Sequence, residues 1–268
     1  MTAHEALFES RSSLFFPTPA ARGPWDERSL HGGAVAALFA GRMAVPGCTM
    51  ARLTIDLLAP VPCLPLSLQV GQPVGGRRAV RREAVLTRDG RVVAIGRSLH
   101  VRCADLELPP QVLDHVSPFD PTQAPALCAP RREIADMIGW ESFDSAALVT
   151  ERLAVPDDPD STYLWVGLTI PVVAGEKLAG VEVASAAADY AQTAAGRQLP
   201  FDHWRFLNAE LTLHLTRAPN PDWIGLRCEC LAQPVGTGLS SAVLYDGAGR
   251  IGQSAQALVL EERALPRR

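Results

Sequence analysis

The 268-residue chain has no apolar run near the roughly 18 residues that a helical membrane span requires. It has no basic cluster beyond Arg77-Arg78 and Arg81-Arg82, and its net charge is −4. A nucleic-acid partner needs a basic face, so that partner class is excluded along with the membrane. Met1-Thr2-Ala3-His4-Glu5 carries neither the basic stretch nor the apolar stretch of a signal peptide, and the expected location is cytoplasmic. Six cysteines stand at 48, 63, 103, 128, 228 and 230, and none forms a C-x-x-C pair. Cys228 and Cys230 share one face of an expected strand, yet no second pair or neighbouring His completes a zinc set. All six read as reduced, mostly buried small hydrophobes. No metal and no cofactor are expected.

Nucleophilic and phosphate-binding signatures are missing too. There is no G-x-S-x-G elbow, no P-loop and no G-x-G-x-x-G. The glycine-rich stretch Gly71 to Gly76 is interrupted by Pro73 and lies between expected strands. With 47% apolar and 20% charged residues, the chain has what a globular protein needs to bury a core.

What is present is a repetition. Leu53-Thr54-Ile55-Asp56-Leu57-Leu58 reads like Leu211-Thr212-Leu213-His214-Leu215-Thr216, and the segment from Gly90 reads like the one from Gly249. The offsets, 211 − 53 = 158 and 249 − 90 = 159, hold one register across both blocks. A period this long is a duplicated domain, not a solenoid unit. Each copy has an Ala-rich helix ahead of strands. Helix A is expected at Gly32–Ala44, stopping before Val45-Pro46-Gly47, and helix B at Val181–Ala195, with Gly196 as its C-cap.

Expected strands follow at Arg52–Leu58, Leu66–Val70, Ala79–Thr87 and Val92–Arg102, with an Asp89-Gly90 hairpin turn between the last two. The second set is Leu148–Arg152, Thr162–Ile170, Leu207–Thr216, Trp223–Gln233, Ser240–Asp246 and Arg250–Leu260. Residues 1–30 read as an irregular lead-in pinned by Phe15-Phe16 and Trp25. Residues 105–130 read as a Pro-rich linker, with a short helix at Arg131–Ile138. Each copy is then a helix followed by an antiparallel meander. Small side chains let such a helix lie close to a sheet, and a helix apolar all round is a buried one.

A Gly-Gly-started helix, a meander with an Asp-Gly hairpin, a Pro-rich linker and a second helix carrying Asp in an Ala-rich stretch resemble the acyl-CoA thioesterase II family. The likeness runs from about residue 10 to 262. It implies an α+β double hotdog, in which two copies of a long central helix are each wrapped by a curved antiparallel sheet. The domains would be 1–104 and 148–268, joined by 105–147. It implies hydrolysis of an acyl-CoA to a carboxylic acid and free CoA by an activated water, and a homodimer or higher homo-oligomer.

The family's helical Asp falls on Asp189 and its Gln on Gln256. Its hydroxyl position falls on Asn208, a departure. An amide can orient a carboxylate or hold water, but it supplies no hydroxyl. Asp189 in an Ala-rich helix is the expected general base, because an apolar helix bears a carboxylate only if it is paired or used. Otherwise it faces solvent or pairs with Arg197 or Arg205. His31-Gly32-Gly33 opens helix A, where free N–H groups suit a carbonyl oxygen or phosphate. These three are the expected substrate-binding residues, with His31 alternatively a cap. Within the repeat Gln256 aligns with Arg97, Asn208 with Met50 and His214 with Asp56, so the polar set is concentrated in the second copy. The competing readings are a non-catalytic acyl-CoA-binding protein and an enoyl thioester hydratase or dehydratase. The latter pairs Asp with a His on one helical segment, and helix B contains no His.

Overall fold

A computed structural model of the chain describes residues 4–109, 117, 119–120, 130, 133–153, 155, 158, 160–197 and 199–263. The first part holds β1 (Phe8–Arg11), β2 (Leu14–Pro17), α1 (Gly32–Met43), β3 (Cys48–Leu57), β4 (Leu66–Val70), β5 (Val74–Gly75), β6 (Ala79–Arg88) and β7 (Arg91–Arg102). Two short helices follow, α2 (Glu133–Ile138) and α3 (Phe143–Ala146). The second part holds β8 (Leu148–Leu153), β9 (Thr162–Leu168), α4 (Gly180–Tyr190), β10 (Trp204–Asn208), β11 (Glu210–Leu215), β12 (Ile224–Gln233), β13 (Thr237–Asp246) and β14 (Gly249–Glu262). Most of the Pro-rich segment and Cys128 lie outside the described residues.

The strands form one antiparallel sheet in the order β1-β2-β4-β6-β7-β3-β11-β14-β13-β12-β9-β8, with β5 beside β6 and β10 beside β14. The two copies meet where β3 pairs with β11. Thr54 lies opposite Thr212, flanked by Leu53 opposite Leu213 and Ile55 opposite Leu211. Residues 54 and 212 are also equivalent positions of the internal repeat, so a pseudo-twofold axis passes through that pair. On either side the order mirrors, β3-β7-β6-β4 against β11-β14-β13-β12. The expected simple meander is therefore corrected. β3 pairs with β7, and β4 goes to the far side of β6, because β3 keeps its other edge for the second copy.

α1 and α4 are the buried helices. Every residue from Gly33 to Ala40 and from Glu182 to Asp189 is buried. Ala and Gly allow this, since large side chains would hold the helices apart. The helices run antiparallel against each other. A Cβ on Gly32 would meet Asp189, and one on Gly41 would meet Glu182. Burial pushes the Glu182 carboxyl pKa up, but this side chain also caps α4 by accepting the Ala179 N–H at 2.8 Å.

Several expectations need correction. The lead-in is not irregular: β1 and β2 form a hairpin whose turn residues Ser12 and Ser13 both have positive φ. β1 also reaches across the chain, where the Phe8 N–H donates to the Val172 carbonyl at 2.9 Å. The pinning by Phe15 and Trp25 holds, since Phe15 is buried and Trp25 stacks on Phe201. Helix B does not end at Gly196. The α-helix stops at Tyr190 and tightens into a 3-10 turn over Ala191–Arg197, which contains Gly196.

The expected strand Leu207–Thr216 is interrupted at Ala209. There the Glu210 carboxylate accepts the Ala257 N–H at 2.8 Å, so a side chain takes a place in the ladder that backbone would fill. Among the cysteines, Cys228 and Cys230 are buried and burial pushes both thiols up. Cys48 and Cys63 are half-buried and Cys103 is exposed, contrary to the expectation of general burial.

Candidate active site

Asp189 is the penultimate residue of α4 and is fully buried. The position is electrostatically poor for a carboxylate, because the carbonyl end of a helix is its negative end. It is neither solvent-facing nor a surface cap, so its charge needs internal partners. Three elements supply them. From β10, the Asn208 Nδ2 donates to Asp189 Oδ1 at 2.5 Å. From the start of α1, the His31 ring places Nδ1 3.1 Å from Asp189 Oδ2. From β14, the Gln256 Nε2 donates to the backbone carbonyls of Ala188 at 2.6 Å and Asp189 at 3.1 Å. Those carbonyls belong to the helix end, where the Ala191 N–H of the cap also donates to both.

The sequence therefore pointed to residues that do converge. Asp189, Asn208, Gln256, His31, Gly32 and Gly33 lie around one point where α1 meets α4. Gln256 Oε1 has no hydrogen-bond donor among the described residues, and Asp189 Oδ2 is faced by His31 Nδ1 at 3.1 Å. Gly32 is needed for the approach, since a Cβ at this position would stand 2.8 Å from Asn208 Nδ2 and collide with Asp189 Oδ1. A Cβ on Gly33 would stand 3.2 Å from the Ala186 carbonyl of α4. The repeat's other copy has no such set. Arg97, the counterpart of Gln256, is a half-exposed partner of Asp56 and Glu83, and His214 is exposed as expected from its alignment with Asp56.

His31 is the site's cation. Its ring is buried, tilted against Phe143 with centroids 4.8 Å apart, and lies between two buried carboxylates. Nε2 stands 3.6 Å from Asp144 Oδ1 and Nδ1 faces Asp189. Burial alone pushes the imidazole pKa down. The charges of Asp144 and Asp189 and their contacts outweigh this, and the ring's pKa is raised to about 10. The Gly33 N–H also points at Nδ1, at 3.0 Å, a cap that only the neutral ring accepts. A neutral ring would leave two buried carboxylates without a cation, a larger cost than one weakened cap. The charged ring is therefore the form held at neutral pH, and the Gly33 N–H is then left without an acceptor on His31. The side chain expected to contact substrate is turned onto these carboxylates.

Asp144 is the residue that sequence reasoning missed. It lies on α3, within the stretch read as linker, with no period or motif to distinguish it. The available signal was the local pattern Ser142-Phe143-Asp144-Ser145, a helix start that ties an acidic residue to a fixed backbone.

Comparison with known proteins follows the same halves. A family profile described as the acyl-CoA thioesterase N-terminal domain matches residues 21–101, and one described as the acyl-CoA thioesterase C-terminal domain matches residues 114–260. Among solved structures, a conserved protein of unknown function with a hot dog fold from Alicyclobacillus acidocaldarius is similar, with a TM-score of 0.67 at 13% identity over 98% of each chain. A putative thioesterase from Novosphingobium aromaticivorans has a TM-score of 0.63 at 18% identity, over 97% of this chain and 94% of that one. An acyl-CoA thioesterase II, TesB2, from Mycobacterium marinum has a TM-score of 0.63 at 12% identity, over 97% and 96%. A search among curated proteins found no match.

Proposed function

This chain belongs to the acyl-CoA thioesterase family, and from that premise we propose that Asp189 is the base that activates water for thioester hydrolysis. The fold is a hotdog fold and the protein is an acyl-CoA thioester hydrolase. The observation that carries the assignment of the base is a fully buried carboxylate at the end of α4, with Oδ1 held by Asn208 and Oδ2 faced by His31 Nδ1 at 3.1 Å.

In this reading a water donates one hydrogen to the remaining lone pair of Asp189 Oδ2, beside His31, and the other to Gln256 Oε1, which has no protein donor among the described residues. Its oxygen attacks the thioester carbonyl carbon, and Asp189 takes the proton. The tetrahedral oxyanion needs preorganised donors, and the backbone N–H of Gly32 at the start of α1 serves as one. Collapse breaks the C–S bond. The CoA thiolate leaves with the proton held by Asp189, and the acyl group leaves as the carboxylic acid. Asn208 stands where the family's hydroxyl would be and replaces it as the donor that orients Asp189.

The finer architecture in this reading is a double hotdog. Residues 1–104 and 148–268 form its halves, 105–147 connects them, and α1 and α4 are the central helices. A cytoplasmic setting fits the free thiols of the described cysteines. A homodimer or larger assembly fits the exposed Leu231, Leu239 and Val259 on one face of β12–β14, and light scattering of the purified protein tests it.

Thiol release from acyl-CoAs of graded chain length, for wild type beside Asp189→Asn, tests the base. Wild-type turnover falling by at least about 100-fold in the variant is expected for a lost general base. Turnover that survives the substitution overturns the assignment. Binding without turnover in the wild type would mean an acyl-CoA-binding protein.

A further inference from the structure

We propose that Asp144 is a positioning residue for this hydrolysis: it holds His31 as the fixed cation against which Asp189 is set. The proposal rests on the reading of Asp189 as the base. Its own ground is the line of three buried side chains from three separate helices, Asp144 on α3, His31 at the start of α1 and Asp189 on α4. Asp144 is 7% exposed, His31 4% and Asp189 0%. Nε2 is 3.6 Å from Asp144 Oδ1 and Nδ1 is 3.1 Å from Asp189 Oδ2. No other ion pair to His31 is found among the described residues, and the remaining polar neighbour on this side, Asn208 of β10, bonds to Asp189 itself.

The segment carrying Asp144 is built to stay in place. Ser145 Oγ accepts the Ser142 N–H at 2.9 Å, the Phe143 N–H donates to the Arg22 carbonyl at 2.8 Å, and Trp140 Nε1 donates to the Gly23 carbonyl at 3.0 Å. The His31 N–H donates to the Ala21 carbonyl at 2.9 Å. One strap, Ala21 to Gly23, therefore locates both His31 and α3. A carboxylate fixed in this way has a direct physical consequence. A lone Asp189 holds a neutral or charged ring with similar geometry, but a second carboxylate commits the ring to its charged form. Nδ1, although 3.0 Å from the Gly33 nitrogen, then carries a proton directed at Asp189 instead of accepting that N–H, and Asp189 Oδ2 keeps a cation on one side and an open side for water.

The test compares wild type, Asp144→Asn, Asp144→Glu and Asp189→Asn by kcat, KM and the pH dependence of kcat on one acyl-CoA. With Asp144→Asn, kcat falls about 10- to 100-fold, the range set by contacts to charged groups. KM stays within about twofold, and the alkaline limb moves at least about one pH unit lower because the ring loses a carboxylate neighbour. Asp144→Glu restores part of kcat and returns the limb toward wild type. A wild-type kcat and limb in Asp144→Asn overturns the proposal, as does a glutamate variant no better than the amide. If Asp144→Asn does not fold, as judged by circular dichroism, Asp144→Glu is read alone. A limb and kcat altered by the displaced carboxylate support the proposal, and unaltered ones overturn it. Asp189→Asn separates the two ideas. If it retains turnover, the base is elsewhere. If it is inactive while Asp144→Asn behaves as wild type, only the role of Asp144 is lost.

Discussion

At the scale of single residues, the site depends on two features that act on the same carboxylate. Gly32 leaves room for it, and Asn208 orients it. Adding one methyl group in Gly32→Ala drives a Cβ into Asp189 Oδ1 and to 2.8 Å from Asn208 Nδ2. Overpacking of this kind typically costs about 1–3 kcal/mol. Urea unfolding should show that loss, with kcat falling further than stability explains, because the displaced atoms are those of the base. Asn208→Ala removes a donor to a charged acceptor, an interaction of about 1.5–3 kcal/mol. We expect kcat to fall about 10- to 100-fold with KM little changed, and steady-state kinetics on the folded variant checks it. Asp189 was legible in the sequence because a carboxylate in an Ala-rich helix is out of pattern, and Gln256 because its segment resembles the Gln segment of the acyl-CoA thioesterase II family. Asp144 was not, because its meaning comes from a partner 113 positions earlier in the chain (144 − 31).

At the scale of elements, the two Ala-rich helices follow from composition. Ala has the best helix propensity, and the prolines and glycines after each run limit its extent. Their packing on each other follows from small size. Ala37 is fully buried midway along α1, between the ends where Gly32 meets Asp189 and Gly41 meets Glu182. Ala37→Leu should destabilise by about 1–3 kcal/mol through overpacking, measured by chemical denaturation. Activity should fall as well, because the same helix pair carries Asp189. The Asp89-Gly90 turn was readable from its dipeptide, and both residues have positive φ. The break at Ala209 was not, since it depends on Glu210 reaching a neighbouring strand.

At the scale of the whole molecule, one hydrophobic cluster draws on both copies, from Leu7 and Phe8 to Leu258, and one sheet crosses between them at β3 and β11. Shared burial makes the halves mutually dependent, so a single urea transition is expected, superimposable by circular dichroism and Trp fluorescence. Two separated transitions would refute it.

Two groups set opposite limits on stability with pH. His31 has its pKa raised from 6.5 to about 10. Its contribution is complete below the unfolded value and is lost as pH rises from about 6.5 through 10. Asp246 is buried, which opposes its charge, but Arg217 and the Asn220 and Ala248 N–H groups hold its carboxyl below the ordinary value. Its contribution is present above the unfolded pKa and is lost as pH falls through the lowered folded one. Unfolding free energies from pH 3 to 10 should therefore peak between these limits. His31→Gln should remove most of the alkaline decline, and a decline unchanged in that variant would contradict the assignment.

By itself the sequence determined the duplication, the two buried helices, most strands and the carboxylate most worth testing. These are properties of local composition, period and register, which a chain carries in order along its length. Tertiary structure decided the rest. It made the lead-in a hairpin tied to the second copy, sent β4 to the far side of β6, and joined the copies through Thr54 and Thr212. It also turned His31 from an expected substrate contact or cap into a buried cation between Asp144 and Asp189. Each of these depends on groups distant in the chain meeting in a space without water, where unpaired charges and unmade backbone hydrogen bonds cost most. Local pattern carries no record of such meetings.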